Sequence, residues 1–485
     1  MAAHADSTPK WNIIFLIYAK LGDAASENTY DPNLLADTSK YLGELKEEIK
    51  GIPLSPNFKI WIIENIVYLE NRIKVSDHTY LSQLESDHTN PSVNIFTIAK
   101  TYSEENIVKS AELLQSVFRD IETALVAEKN LLITWDHGSA FGIFKSNTFA
   151  ENLQQRTLFN SPYHKILQQI TDEEHSSVQS EPILTIIKND RYPRLAKVSE
   201  RTQGFTTAMH TIMPEKTEDI LTNDELGIAI KKGFSAGMVD VLIMFNCYMQ
   251  NMHTCHSLKD CVNLLVAPEG LISEPGYDYT LILKAIANFR DINPEKIAEI
   301  AVSSMNAKFI RAGLERKFEL HAMFAVDLSG YDRVIEKMKT LVQFLRTKIA
   351  RDVLFKANTK LSRRSCYEMD LPLNYNMVDL INWMTKLSSM LQLNEIDSML
   401  NDFETTYLQL VKISAIGKNP YFIASRMSWE RNHGVPPKGV TIYFPTSRIL
   451  RTDPVANDFI FPNSAFQTSL LKEIKWFEFL TELYS

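Results

Sequence analysis

The sequence predicts an α/β protein: a mainly parallel sheet sandwiched by helices, with an inserted lid-like segment and a helical C-terminal region. Three observations carry that expectation. Short apolar runs rich in β-branched and aromatic residues alternate with stretches of helical period. Two of those runs stop abruptly at a reactive side chain, His137 and Cys247, as strands of an open α/β sheet do at their carboxyl edge. Between 145 and 221 the pattern dissolves into polar and scattered basic residues, which marks an insertion or lid and not part of the sheet.

Trp11 to Tyr18 reads as the first strand, and the polar stretch from Asp31 to about Lys50 as the helix after it. Phe58 to Glu64 is a second strand, while Ile66 to Val75 and Val93 to Ala99 read as a small antiparallel excursion. Ile107, Ala111, Leu114, Val117, Phe118, Ile121 and Leu125 recur at helical spacing between Ser103 and about Lys129, and the strand ending at His137 follows. Lys188, Arg191, Arg194, Lys197 and Arg201 lie in the insertion. Thr222, with Glu225 three residues on, has the form of a capping box that restarts regular structure. The run from Val239 to Phe245 ends at Cys247, with a helix expected directly after it. Beyond Phe318 come a strand, His321 to Asp327, helices to about Leu410, a late strand from Gly439 to Pro445, and a closing aromatic helix with Trp476, Phe477 and Phe479. Residues 1–317 are therefore read as one domain and 318–485 as an α/β region packed on it.

Composition narrows the function. In 485 residues, 51 Lys and Arg stand against 59 Asp and Glu, a formal charge of −8, so the basic excess of a nucleic-acid binder is missing. The start of the sequence has no basic region followed by an apolar one, and no run reaches the roughly 20 apolar residues that span a bilayer, so no membrane is expected as a partner. Four cysteines are too few for a disulfide framework at this length, which points to a reducing, cytoplasmic setting; secretion is the expectation only for a chain that has lost a signal peptide. His253-Thr254-Cys255-His256 has two histidines on one helix face but no second cluster at metal-ligand spacing, and is read as helix residues beside the site, with no metal.

Six stretches resemble the clostripain-like cysteine peptidases of the caspase-like clan, a largely bacterial group related to gingipains, legumain and separase. Trp135-Asp136-His137-Gly138 matches the family's histidine motif, and Phe245-Asn246-Cys247-Tyr248-Met249 matches in part its Asp-Ala-Cys-Leu-Met nucleophile motif. Val266-Ala267-Pro268-Glu269 with Gly276-Tyr277-Asp278-Tyr279 is similar to a strand ending in Ala-Ser-Glu and the turn after it. Val378-Asp379-Leu380 and Gly439-Val440-Thr441-Ile442-Tyr443-Phe444-Pro445 resemble the family's late motifs. The resemblance implies a caspase-like endopeptidase whose substrate is a protein or peptide, with a regulatory protein as candidate partner; because linkers in the clan are commonly autoprocessed, it also makes 145–221 a candidate activation segment, its basic residues being cleavage sites or ordinary solvated charges. It needs no organic cofactor, and calcium enters only because some relatives depend on it.

Thiol proteolysis needs a thiolate, a proton donor for the leaving amine, and donors for the oxyanion. Cys247 is the expected nucleophile and His137 the general acid and base, a dyad with no orienting carboxylate by resemblance; the backbone N–H groups of Gly138 and Cys247 form the expected oxyanion hole. Phe245, Asn246, Glu269, Glu274 and Asp278 are the expected substrate contacts. The family's pocket aspartate, two residues before the nucleophile, is replaced by Phe245, which cannot neutralise Arg or Lys. Glu274 or Asp278 is the candidate replacement acid, and an apolar or otherwise altered preference is expected. Two further readings stand beside this one: a catalytically degenerate fold acting as a binding or scaffold module, and a bacterial defence or cell-death peptidase with one partner substrate.

Overall fold

Strand β1 (Trp11–Gly22) sits near the middle of a nine-stranded sheet, with β2 (Phe58–Glu70) parallel on one side and β5 (Lys129–Trp135) parallel on the other. The computed structural model describes residues 10–22, 32–70, 73–103, 110–136, 138, 140–144, 221–270, 272, 275–289, 291–314, 321–364, 366, 377–417, 436–444 and 469–484. Outward from β2 the sheet continues antiparallel through β3 (Ile73–Ser86) to β4 (Asn94–Ser103), the expected excursion, although Ile66 to Glu70 extends β2 and does not begin a new strand. Outward from β5 come β8 (Val239–Phe245) and β9 (Val262–Pro268), both parallel, then β10 (Ala322–Asp327) and β12 (Val411–Ile416), both antiparallel to their inner neighbours.

Near-continuous Ile, Leu and Val in β1, β5 and β8 reflect burial on both faces, the condition of strands covered above and below by helices. Helix α1 (Pro32–Lys50) connects β1 to β2, and α2 (Ala111–Ala124) leads into β5 with Leu113, Leu114, Val117, Phe118 and Ile121 inward. Ser110 caps α2 by accepting from the Leu113 N–H. The short pair β6 (Gly142–Ile143) and β7 (Leu221–Thr222) joins the two ends of the insertion, whose residues 145–220 lie outside the described set.

Helix α3 (Asn223–Gly233) begins with the expected capping box: the Glu225 N–H donates to Thr222 Oγ1 at 3.2 Å, and the Thr222 N–H donates to the Glu225 carboxylate at 2.8 Å. Helix α4 (Met252–Leu258) follows β8, α5 (Tyr279–Asn288) and α6 (Pro294–Arg311) follow β9, and α7 (Tyr331–Ile349) and α8 (Val353–Arg364) follow β10. After them come β11 (Met377–Asp379), α9 (Leu380–Leu391) and α10 (Asn394–Leu408). The late strand β13 (Thr441–Tyr443) pairs antiparallel with β11, apart from the large sheet. Helices α11 (Ser469–Glu473) and α12 (Trp476–Tyr484) close the chain, and Trp476 and Phe479 pack with Trp383 and Phe444 at ring distances of 4.8–6.3 Å.

The sequence reading sets a boundary after residue 317. Strands β10 and β12 come from the later part of the chain, yet they complete the same sheet as β1, β5 and β8, and one continuous core crosses the boundary. Strand order, not sequence order, decides where a core ends. Among the described residues no helix is long and apolar enough to cross a membrane.

Candidate active site

Adjacent parallel strands bring the two singled-out ends together. In the pairing of β5 with β8, Trp135 stands opposite Phe245, so the residues that follow each strand emerge side by side at the carboxyl edge of the sheet. One main-chain bond continues the ladder past the strand ends, from the Asp136 N–H to the Phe245 carbonyl at 3.3 Å. Side chains then take over: the Thr134 hydroxyl donates to Asn246 Oδ1, and Asn246 Nδ2 donates to the Asp136 carbonyl at 3.0 Å. His137 itself lies outside the described residues.

Gly138 reaches Cys247 directly. A Cβ at this position would fall 2.5 Å from the Cys247 carbonyl oxygen and 2.8 Å from the Cys247 nitrogen, so only glycine permits the approach. Cys247 is 3% exposed. Its thiol donates to the Ile272 carbonyl at 3.6 Å, and the Ile272 N–H donates to the sulfur at 3.4 Å. None of the four cysteines forms a disulfide. Burial pushes the Cys255 and Cys261 thiols up to about 12, so neither supplies a thiolate near neutral pH.

The expected helix does not start directly after Cys247. A turn intervenes, with Tyr248 at φ 64, its N–H donating to the Gly270 carbonyl at 2.7 Å and the Gln250 N–H to the Pro268 carbonyl at 2.8 Å. Helix α4 then begins at Met252, where Asn251 caps it by accepting from the Thr254 N–H at 2.9 Å. The positive end of a seven-residue helix is thus displaced from the sulfur, and its effect decays within a turn.

Four of the expected substrate contacts, Phe245, Asn246, Glu269 and Asp278, lie among the described residues. Phe245 is fully buried, stacked on Trp135 at 6.1 Å and edge-on to Tyr277 at 6.5 Å. Gly276, at φ 66, lies so close to that ring that a Cβ would come 2.6 Å from Cε2. Asn246 is fully buried and turned towards β5. Glu269 is fully buried, accepting the Gly439 N–H at 2.8 Å and facing Asp379, far from solvent. Asp278 caps α5 through the Leu281 N–H at 3.0 Å and pairs with Arg311, so its carboxylate is occupied as a cap and ion pair. Glu274 lies outside the described residues. Local turn chemistry and burial claim these side chains, which spacing in sequence could not reveal.

Buried polar residues that the sequence reading passed over complete the rim. Asn251 Nδ2 donates to the carbonyls of Ala140 at 2.9 Å and Tyr248 at 2.7 Å, and Asn223 Nδ2 donates to the Ala140 carbonyl at 3.0 Å. Gln250 Nε2 reaches the Gly439 carbonyl at 3.1 Å, tying the nucleophile turn to the segment before β13. The available signal was their position: Asn251 is four residues beyond the cysteine and Asn223 adjoins the capping box. His253 accepts the Tyr443 N–H at 3.4 Å, and burial, with His256 nearby, drives its pKa down to about 3. His256 pairs with Glu473 at 2.8 Å, so the two histidines hold the C-terminal segments; among the described residues no group of three potential ligands could hold a metal ion.

Known proteins decide what this rim belongs to. A family model described as the clostripain family matches residues 210–479, more than half of the chain. The chain belongs to the clostripain family of C11 cysteine peptidases. Its fold is that of two solved members. An inactive zymogen C11 protease from Parabacteroides distasonis is 14% identical, over 96% of this chain and 99% of that one, with a TM-score of 0.53. A secreted C11 cysteine protease of Bacteroides thetaiotaomicron, called iotapain, is 13% identical, over 96% and 100%, with a TM-score of 0.55. A further structure from B. thetaiotaomicron, 13% identical over 96% and 99% with a TM-score of 0.53, is described in complex with an irreversible peptide inhibitor. No curated protein matches the chain. The clostripain family motifs thus sit on β5, β8, β9, β11 and β13, and the first three lie in consecutive positions of the large sheet.

Proposed function

We propose that this clostripain family member is an endopeptidase that cuts peptide bonds with a Cys247/His137 dyad, at sites other than the Arg/Lys pattern of the family. The observation that supports it most is the contact of Gly138 with the Cys247 backbone at the edge of neighbouring parallel strands. There a substrate carbonyl entering beside the sulfur meets two backbone N–H groups, those of Gly138 and Cys247, as donors for the oxyanion. Cys247 attacks as thiolate, the tetrahedral intermediate collapses as His137 protonates the leaving amine, and His137 then takes a proton from the water that releases the acyl group.

The altered preference rests on position 245. Phe245 fills space under Gly276 and carries no charge, so a guanidinium or ammonium there would be desolvated without a counter-ion. Because Ile272 holds the sulfur from both its N–H and its carbonyl, substrate entry requires that segment to yield, which favours a regulated enzyme cutting a protein or peptide chosen by a partner or by the insertion. Four cysteines without a disulfide favour a cytoplasmic setting, whereas iotapain is described as secreted. No cofactor is proposed; calcium dependence would come from the family alone.

Site-resolved labelling of Cys247 by an electrophilic peptide library, varied at the residue before the scissile bond, tests this. Labelling that is lost in His137→Ala and strongest for uncharged residues is the expected result. No labelling by any member would favour the second reading, a degenerate fold serving as a binding module, to which the 3% exposure of the thiol also belongs.

A further inference from the structure

Two residues before and two residues after Gly138 stand the carbonyls of Asp136 and Ala140, and buried side-chain amides hold both. Asn246 Nδ2 donates to the Asp136 carbonyl at 3.0 Å, and the Thr134 hydroxyl on its other side fixes which way the amide faces. Asn251 Nδ2 donates to the Ala140 carbonyl at 2.9 Å, with Asn223 adding a second bond at 3.0 Å. Asn246 and Asn251 are fully buried and Asn223 is 2% exposed, so no water competes for these bonds.

Backbone strain falls at the same two places. Asp136 has φ 147 and Ala140 φ 45, conformations that residues with a Cβ avoid and that persist only when their surroundings over-determine them. Both amides come from the nucleophile side of the rim, one residue before and four residues after Cys247. Where the family motif has alanine, this chain has Asn246.

We propose that Asn246 and Asn251 are positioning residues, a clamp that fixes Asp136 and Ala140, and with them the Gly138 backbone, against Cys247. This rests on the peptidase reading. Neither amide is a proposed substrate contact; each holds a carbonyl on one side of Gly138, the proposed oxyanion donor. Asn246 is the cleaner probe, because Asn251 also caps α4.

The test follows iodoacetamide alkylation of Cys247 against pH in the full chain, read by peptide mass spectrometry so that the half-buried Cys366 is counted separately. Wild type, His137→Ala, Asn246→Ala and Thr134→Val are compared, with thermal midpoints as folding controls. The proposal expects the inflection in Asn246→Ala to move towards that of His137→Ala, with Thr134→Val between them. On the best library peptide, kcat in Asn246→Ala should fall at least about tenfold while KM stays within about twofold. A folded Asn246→Ala with the wild-type profile and kcat overturns the clamp. Should Asn246→Ala not fold, Thr134→Val keeps the amide but frees its orientation, and an unmoved profile there overturns it equally. Coincident wild-type and His137→Ala profiles would instead defeat the dyad itself, whatever Asn246→Ala does.

Discussion

A methyl group at position 138 would lie 2.5 Å from the Cys247 carbonyl oxygen, a contact with backbone that no side-chain rotation relieves. Gly138→Ala must therefore push the two strand ends apart, and a donor aimed at an oxyanion loses most of its value when displaced. We expect kcat to fall on the order of 10²–10³-fold, the cost of losing one oxyanion donor, with KM little changed, which steady-state kinetics on a library-selected peptide would show. Unchanged kcat would remove Gly138 from the mechanism. A second residue-scale test concerns the buried carboxyls. Asp379 accepts backbone N–H groups of Asn382 and Lys438, both at 2.8 Å, whereas Glu269 accepts the Gly439 N–H at 2.8 Å and lies beside Asp379. One proton, carried by Glu269, satisfies the pair. Glu269→Gln keeps an acceptor for Gly439 and a donor for Asp379, so its stability should stay within about 1 kcal/mol of wild type. Asp379→Asn must turn an NH2 towards an N–H donor and should cost about 2–3 kcal/mol. Urea titration of both variants decides; the reverse ranking would place the proton on Asp379. Sequence had marked both acids, but as a substrate contact and a motif residue, because nothing in either segment announces a partner 110 positions away.

Elements were legible where local pattern and tertiary setting agreed. Strands β5 and β8 are apolar runs buried on both faces, and α2 carries its inward residues at helical spacing, so period alone located them. Thr222 and Glu225 declared the start of α3 through a local exchange of hydrogen bonds. Thr222→Ala should cost about 1 kcal/mol in a denaturant titration, and the loss should be larger than at an ordinary surface threonine because α3 also carries Asn223. An effect near zero would mean that the helix start is held by Asn223 and β7 alone. Less was visible where the chain turns. Cys247 and α4 are separated by a turn that depends on a left-handed Tyr248 and on bonds to Gly270 and Pro268, all long-range facts. Strand β12 is half-exposed at the sheet edge, where weak alternation gives little signal. The candidate site was legible as motif residues on strand ends; the amides that join those ends were not, since a buried asparagine looks like any other in sequence.

At the scale of the molecule, the central sheet and the small β11/β13 pair are coupled through the nucleophile turn. Gln250 and Glu269 both bond to Gly439, at 3.1 and 2.8 Å, while His253 receives the Tyr443 N–H, so the turn after Cys247 is packed directly on β13. Those same contacts titrate. Burial, reinforced by the Asp379 charge, pushes the Glu269 carboxyl well above the ordinary carboxylate range; Lys438 and Tyr407 are the other titratable groups facing the pair. A carboxyl whose folded value is raised stabilises fully below its unfolded value, and that contribution drains away as pH rises through the raised value. His253 acts at the other end: held near 3 against an ordinary 6.5, it contributes stability above pH 6.5 that is lost as pH falls towards 3. The molecule should thus lose stability on both sides, with the loss at rising pH setting in above the ordinary carboxylate value and approaching about 1.4 kcal/mol per pH unit where one proton separates the states. In Glu269→Gln the proton is replaced by a permanent amide, so the alkaline decline should flatten while the acid limb, set in part by His253, stays. Urea midpoints of wild type and Glu269→Gln from acid to alkaline pH check this. Parallel curves through the alkaline range would show that the Glu269–Asp379 pair does not carry the linkage between the sheet and β13.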